Sequence, residues 1–226
     1  MININQLPRP VRVLSALLLA LASLLLTPPA YARAVETTTL SAGIEALTLA
    51  DESRTGYDRA KFRHWNAGAI PDDGCNTRAE VLLAEAVEAP TVTDGCTISG
   101  GSWDSYYDHQ TVTNARSLDI DHMVPLAESW DSGASAWSAT RREAYANDLG
   151  ADTSLVAVTA RTNRSKSDQD PDEWLPPSDD VHCRYISEWT ITKLRWNLSV
   201  DLAERNTLRT VAAGCGERVL TYTPVP

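Results

Sequence analysis

The sequence predicts an α+β fold in which a small strand, strand, helix unit sits among surrounding helices stapled by disulfides. Three observations carry that expectation. Residues 118–126 alternate apolar and polar side chains as a half-buried strand does, and 154–159 reads as a second short strand. The stretches 81–87, 183–198 and 201–211 read as helices, and four cysteines stand downstream of an export-type leader.

The leader comes first. Arg9 and Arg12 precede the apolar run Val13–Leu26, and Ala30-Tyr31-Ala32 follows it, which marks residues 1–32 as a signal peptide cleaved after Ala32. That run falls short of the ~18 apolar residues a membrane span needs, and no later stretch approaches that length. A secreted mature chain with no membrane association is expected, with an uncleaved anchor as the alternative. Cleavage leaves 194 of the 226 residues and removes two arginines and no acid, taking the formal charge from −10 to −12. So acidic a chain is not one that coats long stretches of duplex. A hydrolase that engages a few phosphates through a local basic patch and a metal remains compatible with it.

Cys75, Cys96, Cys183 and Cys215 form an even set without a Cys-x-x-Cys pair, so in an oxidising compartment they read as disulfides. Three pairings are possible. The sequential one, Cys75 with Cys96 and Cys183 with Cys215, is favoured because each bond closes a loop of about 20 to 30 residues, worth about 3 kcal/mol in the chain-entropy model. A four-cysteine zinc site is the alternative.

Residues 33–55 are rich in threonine and alanine and read as an N-terminal arm with a short helix, and 56–226 as a single domain. From Gly56 the composition changes, with Tyr57, Phe62 and Trp65 close together. Asn76 or Thr77 caps a helix over Val81–Val87. Residues 95–113 mix glycine, aromatic and polar residues, predicting a hairpin or two short strands. Leu118–Leu126 predicts a strand ended by Pro125, and helical stretches at 127–130 and 140–149 flank the loop Asp131–Ala134. Ser154–Thr159 predicts a second strand, and 160–168 a polar helix stopped before Pro171. The helix at 183–198 carries Trp189 and Trp196 on its apolar face, and 201–211 forms the last one. No internal repeat is visible.

The chemistry-bearing residues lie in the strand, strand, helix unit, about 117–170. Phosphodiester hydrolysis needs a base for the attacking water and a cation for the developing charge, and His122 and Asp121 are the types that supply them. A regular strand aims neighbours to opposite faces, so both reach one site only if the strand ends or twists there, as Pro125 permits. In the helix, Asn163 can offer an amide oxygen to a metal, and Arg164 and Lys166 can meet phosphate. An oxygen-rich ligand set suits Mg2+, with Mn2+ possible.

Asp119-Ile120-Asp121-His122-Met123-Val124-Pro125-Leu126 resembles the Asp-x-Asp-His-(Ile/Val)-Val-Pro strand of HNH endonucleases. Asn163-Arg164-Ser165-Lys166-Ser167-Asp168 is similar to their Asn-Arg-x-Lys-Ser-Asp helix start, also seen in CRISPR effector nucleases. The stretch 56–208, with Gly74–Arg78, Ala127–Gly133 and Asp170–Pro177, resembles secreted actinobacterial HNH nuclease-like proteins of the DUF1524 family. The resemblance implies a ββα-metal (HNH, His-Me finger) core and a secreted endonuclease acting on DNA, or RNA as well. It also implies His122 as general base, Asp121 and Asn163 as metal ligands, and an asparagine bracing the connection between the strands, for which Asn147 is the candidate. The zinc-binding form of the motif uses histidines on the final helix; this chain has none there, which favours magnesium.

Other residues keep two readings. Asp119 either orients His122 or is a solvated strand residue. Arg78 either clamps the scissile phosphate or forms an internal salt bridge. Arg164 and Lys166 are phosphate contacts or an ordinary exposed helix face. His64, His109 and His182 have no partner motif and read as structural or surface residues. Asp168, Asp170 and Asp172 imitate the opening of a calcium loop, but Glu173 and Asp179 stand where glycine and glutamate are needed, so the run reads as a turn. The functional alternative is a non-catalytic secreted binding module on an HNH-like scaffold. Oligomeric state is not legible.

Overall fold

The computed structural model describes residues 34–226, so the leader assigned to residues 1–32 lies outside the described residues. The β-branched run Thr37–Thr39 ends β1 (Glu36–Thr39), and the Thr39 hydroxyl accepts from the Ala42 amide to cap α1 (Leu40–Ala46). Leu40, Ile44 and Leu47 recur at helical spacing and are buried in the main core, so the segment read as an arm is part of the core instead. Its polar composition concealed three apolar residues on one stripe.

Asn76 caps α2 (Thr77–Ala84) by accepting from the Ala79 amide. Two hairpins follow, β2 (Thr91–Thr93) with β3 (Thr97–Ser99) and β4 (Trp103–Ser105) with β5 (Gln110–Val112). Next come β6 (Leu118–His122), α3 (Leu126–Asp131), α4 (Ala139–Ala146), β7 (Leu155–Thr159) and α5 (Ala160–Lys166). The chain closes with α6 (His182–Trp196), α7 (Leu202–Ala212), capped by Asp201, and β8 (Val219–Tyr222), which pairs antiparallel with β1. The fold is α+β, with four two-stranded sheets among the described residues.

The β6–β7 pair is central because both of its faces are covered. Val156 and Val158 join the main core with Tyr185, Trp189 and Trp196, while Leu118, Ile120, Leu155 and Ala157 pack in a smaller cluster with Leu82 and Trp103. Cys75 bonds Cys96, tying the approach to α2 to the β2–β3 turn, and Cys183 bonds Cys215, tying the start of α6 to the segment after α7. The sequential pairing is the one present.

The free edge of β7 is closed by side chains: the Ala157 amide donates to Glu85 Oε2 at 2.9 Å and the Thr159 amide to Ser105 Oγ at 3.0 Å. Burial pushes the Glu85 carboxyl from its ordinary 4.5 up to about 7. The folded chain therefore holds a proton that the unfolded chain releases, so stability falls as pH rises from about 4.5 to about 7 and stays lower above. The full shift corresponds to about 3 kcal/mol, and roughly 1–2 kcal/mol survives solvent screening of this half-buried group. Glu85→Gln is expected to raise the thermal midpoint at pH 8 while leaving it nearly unchanged at pH 4; an unaltered pH profile would assign the slope to other groups.

Candidate active site

The register of the central pair sets Asp121 opposite Val156 and His122 opposite Leu155. The strand ends at His122 and Pro125 opens the next helix, so the two neighbours, which an unbroken strand would aim apart, line one cleft of about 440 Å³. Arg59, Asn163, Arg164 and Asp168 line it too.

His122 is buried, and its Nε2 lies 3.0 Å from the Ala146 carbonyl. A carbonyl only accepts, so Nε2 carries the proton and Nδ1 keeps the lone pair. Among the described residues nothing donates to Nδ1. The ring lies against Trp65 and Tyr145, with centroids 5.6 and 6.4 Å away and planes inclined by 27° and 26°. Trp65, whose indole meets the imidazole, holds φ at 60°, a region that bulky residues seldom enter. Burial drives the imidazole pKa from 6.5 down to about 3, so the free protein carries a neutral ring of fixed tautomer in neutral solution. Such a ring can accept a proton at Nδ1.

Asp121 faces inward as well as toward the cleft. Its Oδ2 accepts from Tyr107 Oη at 2.6 Å and from Lys166 Nζ at 2.5 Å, while Oδ1 accepts from none of the described residues. Lys166 is wholly buried, and its ammonium also donates to the His122 and Met123 carbonyls at 3.1 and 2.7 Å. The rings of Tyr107, Tyr185 and Trp189 surround it at 5.6–5.9 Å. The expectation that Lys166 meets phosphate is therefore corrected. Thr162 and Lys166, four apart, form the buried face of α5, whereas Asn163 and Arg164 turn to the cleft. Burial favours the neutral form of each partner, raising the Asp121 carboxyl and lowering the Lys166 ammonium, and their mutual attraction opposes both shifts.

The remaining expected residues divide. Asp119 Oδ2 lies 3.4 Å from Asn163 Nδ2 and 3.5 Å from Arg164 Nε, so this carboxylate addresses the helix residues, and neither the His122-orienting nor the solvated reading describes it. Asn163 Oδ1 has no hydrogen-bond donor among the described residues, and the Arg164 side chain is 76% exposed. Arg78 donates to the Ala115 and Leu118 carbonyls at 3.1 and 2.9 Å, pinning the start of β6; it is neither a phosphate clamp nor a salt bridge. Asn147 accepts from the Asn66 amide and Thr77 Oγ1, both at 2.9 Å, and donates to the Arg63 and Glu143 carbonyls. It ties the connection between the strands to residues 63–66, one residue after the carbonyl that holds His122.

Sequence reasoning missed Arg59, Trp65 and Tyr107. Trp65 and Tyr107 belong to aromatic clusters visible in the sequence, but nothing in the spacing links any of the three to His122. For a metal ion the cleft offers Asp121 Oδ1 and Asn163 Oδ1, an oxygen set sparse enough for an ion that retains several waters.

Residues 75–211 match the family described as GmrSD restriction endonucleases, C-terminal domain. The chain is also 38% identical over 190 residues, covering 84% of this chain and 89% of the relative, to an uncharacterized secreted protein of Arthroderma benhamiae. No solved structure matches. The matched segment spans more than half of the chain and contains β6, β7 and α5 with the whole His122, Asp121 and Asn163 arrangement, and the chain belongs to the GmrSD restriction endonuclease C-terminal domain family.

Proposed function

We propose that the protein is a secreted, metal-dependent endonuclease of HNH type that hydrolyses phosphodiester bonds of DNA. The observation that carries this reading is the neutral His122 ring, held by the Ala146 carbonyl with Nδ1 unpaired, in a cleft that Asn163 and Arg164 also line. Two disulfides and the secreted relative support export.

In this reading His122 Nδ1 takes the proton of the attacking water, and the Ala146 carbonyl steadies the imidazolium through Nε2. The negative phosphodiester entering the cleft draws the imidazole pKa back upward, toward the range where a base works well. Arg59 and Arg164 bind non-bridging phosphate oxygens. Lys166 and Tyr107 hold the Asp121 carboxylate by Oδ2, so that Oδ1 is presented in a fixed direction, and Asp119 orients the Asn163 amide. Asp121 and Asn163 would hold Mg2+ or Mn2+, which supplies Lewis acidity for the charge that develops on the phosphate.

The test is digestion of supercoiled plasmid and of single-stranded DNA and RNA by the oxidised mature protein with Mg2+, Mn2+ or EDTA. Nicking that needs the metal is expected. Intact substrates under every metal would defeat the enzyme reading and leave a binding module. Arg59→Ala is expected to raise KM about tenfold with a smaller effect on kcat, and to make binding less salt-dependent. An unchanged KM would remove Arg59 from the substrate path.

A further inference from the structure

Six carboxylates gather away from the His122 cleft. Ligand atoms of Glu52, Asp170, Asp201 and Glu204 lie within 4.8 Å of one another, and so do those of Glu52, Glu128 and Asp131. Of these residues Glu128, Asp131, Asp170 and Glu204 are buried. The cations nearby are Lys193 and Arg54, and both are spent. Lys193 donates to Glu128, Glu204, Ser132 and the Ser199 carbonyl, and Arg54 bridges Asp131 and Asp168. Two cations against six carboxylates leave a strong local excess of negative charge.

Hydrogen bonding occupies both oxygens of Glu204, which take Trp189 Nε1 and Lys193 Nζ, but leaves others of the cluster open. Asp170 Oδ1 takes the Asp172 and Glu173 amides, Asp201 Oδ1 the Glu204 amide, and Glu128 Oε1 the Ser132 hydroxyl. Asp170 Oδ2, Asp201 Oδ2, Glu128 Oε2 and both oxygens of Glu52 accept from none of the described residues. A separate observation points to a missing cation. Asp131 Oδ1 is buried with no hydrogen-bond partner, on a side chain 2% exposed whose other oxygen is taken by Arg54. An unpaired buried carboxylate oxygen is costly unless a cation meets it.

We infer that these carboxylates form a calcium-ion site distinct from the His122 cleft. The donors are all hard oxygens from four separate segments, and the group of Glu52, Asp170, Asp201 and Glu204, with bidentate carboxylates and retained water, reaches the six to eight ligands calcium takes in irregular geometry, while Glu52 links it to Glu128 and Asp131. Magnesium, which demands near-octahedral order and dehydrates reluctantly, suits them less. The site also has a structural consequence. Glu52 lies a few residues before Tyr57 and Arg59, which line the cleft, and Arg54 reaches Asp168 of the same cleft. A bound ion fastens segment 52–59 to α3, α7 and the loop after α5, and so fixes where Arg59 stands.

The test reads binding and stability, and so stands or falls apart from nuclease activity. Calcium titrated into chelator-stripped, oxidised mature protein is expected to give a binding heat in calorimetry that Asn163→Ala retains, and to raise the thermal midpoint by about 5 °C at millimolar concentration. Magnesium should need a several-fold higher concentration for the same rise. Glu52→Gln and Asp201→Asn should abolish the response; the first sits at the exposed side of the cluster and the second keeps the α7 cap. Asn163→Ala, in the cleft, should retain it. No calcium response in the wild-type protein, an intact response in both cluster variants, or loss of the response in Asn163→Ala would each overturn the assignment.

Discussion

Replacing His122 by alanine is expected to lower the turnover of plasmid cleavage by about 10³-fold, within the range a positioned general base contributes. The loss should fall on kcat and leave DNA affinity nearly intact, because Arg59 and Arg164 are separate side chains of the cleft. The variant deletes a buried ring that rests on Trp65 and Tyr145 and leaves the Ala146 carbonyl without its donor. Some stability will be lost with it, so the comparison belongs at a temperature where circular dichroism shows both proteins folded. A folded His122→Ala that still cleaves at the wild-type rate would remove the base from the proposed mechanism. A variant that no longer binds DNA would mean that the ring supports the substrate cleft instead of taking the proton.

The second large effect is expected at Lys166. Lys166→Met keeps the aliphatic bulk inside the cage of Tyr107, Tyr185 and Trp189 but removes the charge, leaving Asp121 buried with Tyr107 as its one remaining donor among the described residues. Breaking a buried pair in this way costs about 3–5 kcal/mol, roughly a 10 °C fall in midpoint for a chain of this size. The sign of its pH dependence is fixed. Without Lys166 the Asp121 carboxyl has a pKa raised above its unfolded value, so the penalty is absent at low pH, where the acid is protonated in both states, and grows as pH rises through the unfolded value. The deficit at pH 4 should therefore be smaller than at pH 7, and Asp121→Asn added to Lys166→Met should recover much of it. A Lys166→Met protein as stable as wild type at pH 7 would show that the pair does not hold the strand end. Cleavage is expected to fall as well, since Asp121 loses the contact that sets its direction.

Much of this was legible in the chain itself. The two strands and following helix, the Asn76 cap and the sequential disulfides all follow from local rules: period, capping residue, cysteine count and loop length. They need no knowledge of distant neighbours. The placing of His122 and Asp121 in one cleft was legible in part, because Pro125 announces the end of the strand. Lys166, Asp119 and Arg78 were misread for one shared reason. A charged residue next to a motif looks available, and only its surroundings show whether the charge is already spent. Residues 33–55 were misread for the complementary reason, since Leu40, Ile44 and Leu47 make a short stripe that means little until β8 and α6 lie against it.

By itself, then, the sequence determined the order and type of the elements around the site, the residues that could take a proton or present oxygen to a cation, and a resemblance to nucleases. The tertiary structure alone decided which of those side chains face the cleft and which are consumed inside. The Ala146 carbonyl that fixes the His122 tautomer, the Tyr107 hydroxyl on Asp121, Arg59 at the rim and the gathering of Glu52 with Asp201 all join residues far apart in the chain. Periodicity tells which side of an element a residue occupies; what stands on that side depends on packing, which no local rule encodes.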